Sequence, residues 1–142
     1  MRVFWDTNIF IYLWEKKVLT SEMEALSDFV DREGHILVTS TLTLGEILVQ
    51  PMQQGKPAVV RAYQSAMHQL VLIPYDREAA ACFARLRATN PSLRPPDAIQ
   101  LACAIVGECE LFITNDCRLA NVKSIRGLRV ESLSEWHSSR KK

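Results

Sequence analysis

The stretch Val3-Phe4-Trp5-Asp6-Thr7-Asn8-Ile9-Phe10-Ile11-Tyr12 decides the fold. Val3 to Trp5 is a short apolar run that reads as a buried strand, and a helix begins directly after Asp6. The junction leaves a carboxylate, a hydroxyl and an amide at the strand's C-terminal edge. In open α/β sheets that edge is where ligands bind. The competing reading makes Asp6 or Thr7 no more than a cap for the next helix.

Working outward, the same logic returns at Leu111-Phe112-Ile113-Thr114, followed at once by Asn115-Asp116. Ile36 to Thr39 and Val71 to Ile73 read as strands, and Leu128 to Leu133 as a last one. Ile9 to Trp14 is a helix apolar all round that ends at Glu15-Lys16-Lys17. Ser21 to Glu24 has the form of a capping box ahead of a Met23, Leu26, Val30 stripe, with Gly34 as the stop. Ser40 caps a helix through Leu42, Glu46 and Val49 that Pro51 closes. Gly55-Lys56-Pro57 opens another, with Val59, Tyr63, Ala66 and Leu70 on one face. Asp76 caps a helix ending at Asn90-Pro91, and Pro96 suits the first turn of a helix from Asp97 to Val106. This alternation of strands and helices predicts an α/β fold of three layers, α/β/α, with a mainly parallel central sheet. The expected organisation is one domain over residues 1–133 and a C-terminal tail over 134–142, frayed from Ser138.

Composition narrows the function classes. A chain of 142 residues can bury a substantial core. A net charge of +1 provides no global basic field for nucleic acid, so contacts with a polyanion must come from local patches. The four cysteines, at 82, 103, 109 and 117, include no Cys-x-x-Cys pair. Cys82 and Cys103 fall in helices and read as small buried hydrophobes. Free thiols and a reducing, cytoplasmic compartment are expected. There is no signal-peptide pattern at the N-terminus, and no apolar run approaches membrane-spanning length, so no membrane role is expected.

The chemistry sits in carboxylates. Asp6 and Asp116 each follow an apolar strand, and parallel strands would bring both to one edge of the sheet. Asp97 occupies the first turn of a helix, where the dipole favours an anion. Glu46 lies about two helical turns after the second strand, between Leu42 and Val49 on one side and Thr43 and Gln50 on the other, an apolar/polar boundary. Each alone has a plain structural explanation. Together, three or four carboxylates in one cleft repel and need a cation. With oxygen ligands only, that cation is hard, Mg²⁺ or Mn²⁺, and suits phosphoryl chemistry.

Phe4-Trp5-Asp6-Thr7-Asn8, Ser40 to Glu46, Pro96-Asp97-Ala98-Ile99-Gln100-Leu101-Ala102 and Thr114-Asn115-Asp116 resemble the four acidic motifs of the PIN-domain nucleases, above all the VapC-type toxins of toxin–antitoxin pairs. The resemblance runs from Val3 to about Leu133. It implies a PIN-like fold and a Mg²⁺-dependent endoribonuclease with Asp6, Glu46, Asp97 and Asp116 as the acidic catalytic site. Asp6, Asp97 and Asp116 would be the metal ligands, with Asn8 and Thr114 as supporting polar groups. It also implies an RNA substrate, a cognate antitoxin protein and a homodimer.

Arg94 and Arg118, beside Asp97 and Asp116 in sequence, are the candidate RNA-binding cations; scattered surface charge is the alternative. His35, His68 and His137 lie away from the acidic motifs, which counts against a ribonuclease with histidine acid–base chemistry. The competing functions are a housekeeping RNA-processing nuclease of the same fold, an aspartate-nucleophile phosphatase with Asp6 attacking, and a catalytically dead binding module. The phosphatase usually wants a second Asp two residues on, where this chain has Asn8. From Phe10 to Trp14 the first helix has no polar face. Its outer side needs cover, from the helix over Met23 to Val30 or from a partner chain.

Overall fold

The computed structural model describes residues 1–15 and 20–141. In chain order the elements are β1 (Arg2–Trp5), α1 (Thr7–Glu15), α2 (Ser21–Asp31), β2 (Ile36–Ser40), α3 (Thr41–Gln53), α4 (Pro57–Met67), β3 (Val71–Ile73), α5 (Arg77–Thr89), α6 (Pro95–Val106), β4 (Leu111–Thr114), α7 (Cys117–Ala120), β5 (Ser124–Ile125), β6 (Leu128–Ser132) and α8 (Leu133–Arg140). The strand order is β3-β2-β1-β4-β6-β5; β1 with β4, β2 with β3 and β4 with β6 pair in parallel, and β5 with β6 antiparallel. The expected α/β class with a mainly parallel sheet is what forms. The chain divides into two compact units, residues 1–37 with 108–142 and residues 38–107.

In the first unit β1 and β4 run parallel, with Phe4 opposite Phe112 and Trp5 opposite Ile113. Both strands are buried on both faces, which explains runs that are apolar without alternation. The rings of Phe4 and Phe112 stack at 5.0 Å between centroids. α1 packs its Ile9 and Phe10 inward, and Phe10 bridges Trp5 and Trp14, with 5.4 Å between centroids on each side. Tyr12, Leu13 and Trp14 are half-buried, which leaves Ile11 as the exposed apolar residue of this helix. The Lys16-Lys17 end expected for the first helix lies outside the described residues.

α2 starts one residue earlier than the capping-box reading has it. Thr20, not Ser21, caps the helix, its hydroxyl accepting the Met23 N–H at 3.2 Å. Gly34 follows the helix with φ of 77°, a conformation open to glycine without penalty. Two short elements were not expected. α7 forms one turn after Asp116, and β5 is an antiparallel edge of two residues, too short to leave a periodic signal.

The stretch expected as a tail is also structured. α8 continues to Arg140 and buries Leu133 and Trp136. Trp136 meets Phe29 of α2 edge-on at 5.3 Å, and the Arg140 guanidinium lies 4.7 Å from the Phe29 ring centre and 5.0 Å from that of Trp136. Arg140 also pairs with Glu33 at 2.7 Å. A polar sequence hides this helix because one aromatic face and one cation hold it.

In the second unit β2 and β3 are parallel, with Ser40 opposite Ile73. Ser40 caps α3 as expected, accepting the Thr43 N–H at 3.2 Å. Pro51 does not close that helix; it sits buried within the last turn, and α3 runs to Gln53. A proline near a helix end removes one intrahelical bond, and here the Gln54 N–H still reaches the Gln50 carbonyl at 3.0 Å. The wheel orientation also differs. Ile47 and Leu48 point inward while Val49 is 51% exposed. Asp76 caps α5 through the Ala79 N–H at 3.0 Å. The backbone at Gly107 approaches β3 closely: a Cβ there would meet the Ile73 side chain at 2.9 Å.

Candidate active site

The first unit assembles one half of the acidic motifs. β1 ends at Trp5 beside Ile113 of β4, and the Asp6 N–H extends the ladder to the Ile113 carbonyl at 3.0 Å. Asp6 and Thr114 therefore leave their strands side by side. Asp6 is only 7% exposed and is thoroughly hydrogen-bonded, as a buried carboxylate must be. Its Oδ1 accepts the Thr7 N–H at 2.9 Å, and its Oδ2 accepts the Thr114 hydroxyl at 2.8 Å and the Asn8 amide at 3.3 Å.

Thr114 is the hub of the cluster. Its Oγ1 donates to Asp6 and accepts from the Asn8 amide at 3.2 Å and from the Asp116 N–H at 3.0 Å. The Asn8 carbonyl accepts the Asn115 N–H at 2.9 Å. One residue from each motif thus fixes the other.

Asp116 caps α7. Its Oδ1 accepts the N–H groups of Arg118 at 2.9 Å and Leu119 at 3.2 Å, and its Oδ2 faces the Arg118 guanidinium at 3.1 Å. Partial burial pushes this carboxyl up. The Leu119 N–H, the Arg118 side chain and the Arg118 N–H outweigh that and hold it below its ordinary value.

The second unit carries the other two acids. Asp97 is the third residue of α6, after Pro95 and Pro96, which supply the fixed φ of a helix start and have no N–H to leave unpaired. Its Oδ2 lies 3.6 Å from Arg94 Nε; the Asp97 side chain is 18% exposed and that of Arg94 63%. Glu46, expected at an apolar/polar boundary, is exposed on α3. Arg94 and Arg118, the candidate RNA contacts, each pair with the neighbouring acid.

The same unit holds a buried polar group that the sequence reading missed. Gln100 of α6 is bonded to Ser40 and Thr43 at the start of α3. The signal was present: Gln100 is the lone amide in a helix that is otherwise apolar from Ala98 to Val106.

Among the described residues no three His, Cys, Asp or Glu side chains form a ready metal cage. Carboxylate oxygens are the kind of donor that Mg²⁺ or Mn²⁺ takes. Asp6 and Asp116 of the first unit and Asp97 of the second each offer hard carboxylate oxygens, and Mg²⁺ typically takes one or two carboxylates and completes its shell with water and substrate phosphate. Three cysteines are buried, and burial pushes the Cys103 and Cys109 thiols up to about 12, so neither is a nucleophile. No helix among the described residues is long and apolar enough to cross a membrane.

The sequence matches the PIN domain over residues 3–125, and the chain belongs to the PIN-domain family. Solved structures share its fold. VapBC2 from Rickettsia felis, bound to a DNA fragment from its promoter, superposes with a TM-score of 0.74 at 16% identity, covering 93% of this chain and 98% of that one. VapBC-1 from nontypeable Haemophilus influenzae gives 0.72 at 18%, covering 94% and 99%. VapBC-5 from Mycobacterium tuberculosis, of the VapBC family of toxin–antitoxin systems, gives 0.64 at 20%, covering 92% and 98%. The comparison with curated proteins finds no match.

Proposed function

We propose that this chain is a metal-dependent endoribonuclease and the toxin of a VapC-type toxin–antitoxin pair. The observation that carries the reading is the Asp6–Thr114–Asn8–Asp116 cluster at the ends of β1 and β4, in a chain of the PIN-domain family. Solved chains of the same fold belong to toxin–antitoxin systems, which supports the toxin role and a cognate antitoxin as partner.

Asp6, Asp97 and Asp116 are the proposed metal ligands, and Glu46 completes the acidic set. A bound Mg²⁺ or Mn²⁺ supplies polarisation of the phosphodiester and acidification of the attacking water. The chain's own residues do the rest. The Thr7 N–H fixes Asp6 Oδ1, and Thr114 and Asn8 orient Oδ2, so the carboxylate is held ready at no further entropic cost. Arg94 and Arg118 neutralise Asp97 and Asp116 before RNA arrives and contact its phosphates afterwards. No side chain is needed as nucleophile. A homodimer in a cytoplasmic setting belongs to the same reading.

The test is cleavage of a single-stranded oligoribonucleotide by the purified chain with Mn²⁺, beside Asp6→Asn and Asp97→Asn and beside a DNA of matched sequence. Cleavage of RNA by the wild type alone is the expected result. Equal activity in the aspartate variants, or cutting confined to DNA, overturns the reading. Mapping new RNA 5′ ends after expression then identifies the target.

A further inference from the structure

Ser40, Thr39 and Thr43 are fully buried, and Gln100 is 2% exposed. The Gln100 amide donates to Thr43 Oγ1 at 2.8 Å, and its carbonyl accepts the Ser40 hydroxyl. Ser40 Oγ in turn accepts the Thr43 N–H at 3.2 Å, which closes a ring of three residues; Thr39 Oγ1 adds a donor to Thr43 Oγ1 at 2.9 Å.

A buried amide is an expensive way to fill space. Leucine or methionine would occupy a similar volume and make no demand for hydrogen bonds. What the amide adds is direction. An apolar contact tolerates sliding and rotation of two helices, whereas paired donor and acceptor bonds fix register and angle. The placement gives that direction a use. Thr43 lies three residues before Glu46, and Gln100 three residues after Asp97. Side chains three apart are neighbours on a helix, about 5–6 Å between Cβ atoms. Each helix is therefore pinned one turn away from the acid it carries.

We propose that Gln100 is a positioning residue that fixes Asp97 relative to Glu46 by clamping α6 to the first turn of α3. The inference rests on the proposed metal-dependent ribonuclease, from which the two acids take their role. Removing the clamp leaves both carboxylates in place and loosens their mutual geometry, the kind of supporting contact whose loss costs about 10- to 100-fold in metal affinity or activity.

The test uses the full chain carrying Gln100→Met, Thr43→Val or both, with Asp97→Asn as the reference for a lost acid. Four quantities are read: the rise in melting temperature on adding Mn²⁺, the Mn²⁺ concentration for half-maximal effect, and kcat and KM on an oligoribonucleotide. Each single variant should keep the wild-type circular dichroism, need about tenfold more Mn²⁺, and lose about 10- to 100-fold in kcat with KM unchanged. The double variant should lose no more than either single one, because both break the same clamp. Wild-type kcat and Mn²⁺ response in a folded variant overturn the proposal, as does additive loss in the double variant. If Gln100→Met does not fold, Thr43→Val decides on the same readouts. A wild type that neither cuts RNA nor responds to Mn²⁺ removes the ribonuclease reading and the clamp with it. An active wild type, an inactive Asp97→Asn and a fully active Gln100→Met remove the clamp alone.

Discussion

Arg118 holds Asp116 from two directions: its guanidinium lies 3.1 Å from Oδ2 and its own N–H donates to Oδ1 at 2.9 Å. Partial burial raises the Asp116 pKa, and these bonds with that of Leu119 lower it further than burial lifts it. A carboxyl depressed in the folded state stabilises the fold above its unfolded pKa, and the contribution is lost as pH falls through the folded value. Arg118→Ala removes the guanidinium and keeps the backbone donors. The Asp116 pKa should rise toward its ordinary value, read by carbon-detected titration of the carboxyl. Because the Arg118 side chain is half exposed, the loss of stability at neutral pH should stay below about 1 kcal/mol and vanish in acid, where Asp116 is protonated.

Thr114→Val tests the hub of the cluster. Valine matches the shape and removes the oxygen that serves Asp6, Asn8 and Asp116. The buried Asp6 carboxylate loses a donor and two part-buried N–H groups lose an acceptor, at a cost of about 1–3 kcal/mol, so the urea midpoint should fall by a corresponding amount. RNA cleavage should fall more steeply than stability, because Asp6 loses the hydroxyl that orients Oδ2. A variant as stable and active as the wild type would show that the hydroxyl is ornamental.

This cluster was legible in the sequence because strand, turn and acid follow one another without a gap at Trp5-Asp6 and at Thr114-Asn115-Asp116. Parallel pairing then places the two ends together by register alone. The acids of the second unit were less legible. Glu46 sits mid-helix, where facing depends on a wheel angle, and a wheel centred on Leu42 and Val49 is turned relative to the inward face of Thr43, Ile47 and Leu48. Gln100 leaves only a faint signal for a related reason. Amides are usually exposed, and only its all-apolar helix marks it as buried. Thr20 and Ser21 are both good caps, and composition alone does not choose between adjacent ones.

The cysteines should separate sharply by reagent. Cys117 is exposed at the start of α7, while Cys82, Cys103 and Cys109 are buried. A disulfide-exchange reagent near about pH 8, just below the ordinary thiol pKa, should titrate a single thiol in the folded chain and all four after denaturation. Cys117→Ser should abolish the fast phase. Burial raises Cys103 and Cys109 to about 12, so their neutral form is favoured by folding. That stabilisation is complete below the unfolded thiol pKa and is lost as pH rises through the folded value. Alkaline unfolding should therefore shift in Cys103→Ala or Cys109→Ala relative to the wild type.

Trp136→Ala addresses the C-terminal helix. The sequence there is Leu133-Ser134-Glu135-Trp136-His137-Ser138-Ser139-Arg140, mostly polar and easily taken for a tail. Trp136 is 3% exposed, packs against Phe29 at 5.3 Å, and shares the Arg140 cation with it. Truncating a buried tryptophan costs about 3–5 kcal/mol, from lost transfer free energy and from the cavity left behind. That is a large part of the roughly 5–15 kcal/mol that holds a domain of this size together. The urea midpoint should drop accordingly, and deletion of residues 134–142 should do at least as much. Arg140→Ala should cost far less, because its ion pair with Glu33 is exposed and only the ring contacts are sheltered. An unchanged midpoint in Trp136→Ala would mean that α8 is an appendage and that α2 is held by the rest of its unit without it.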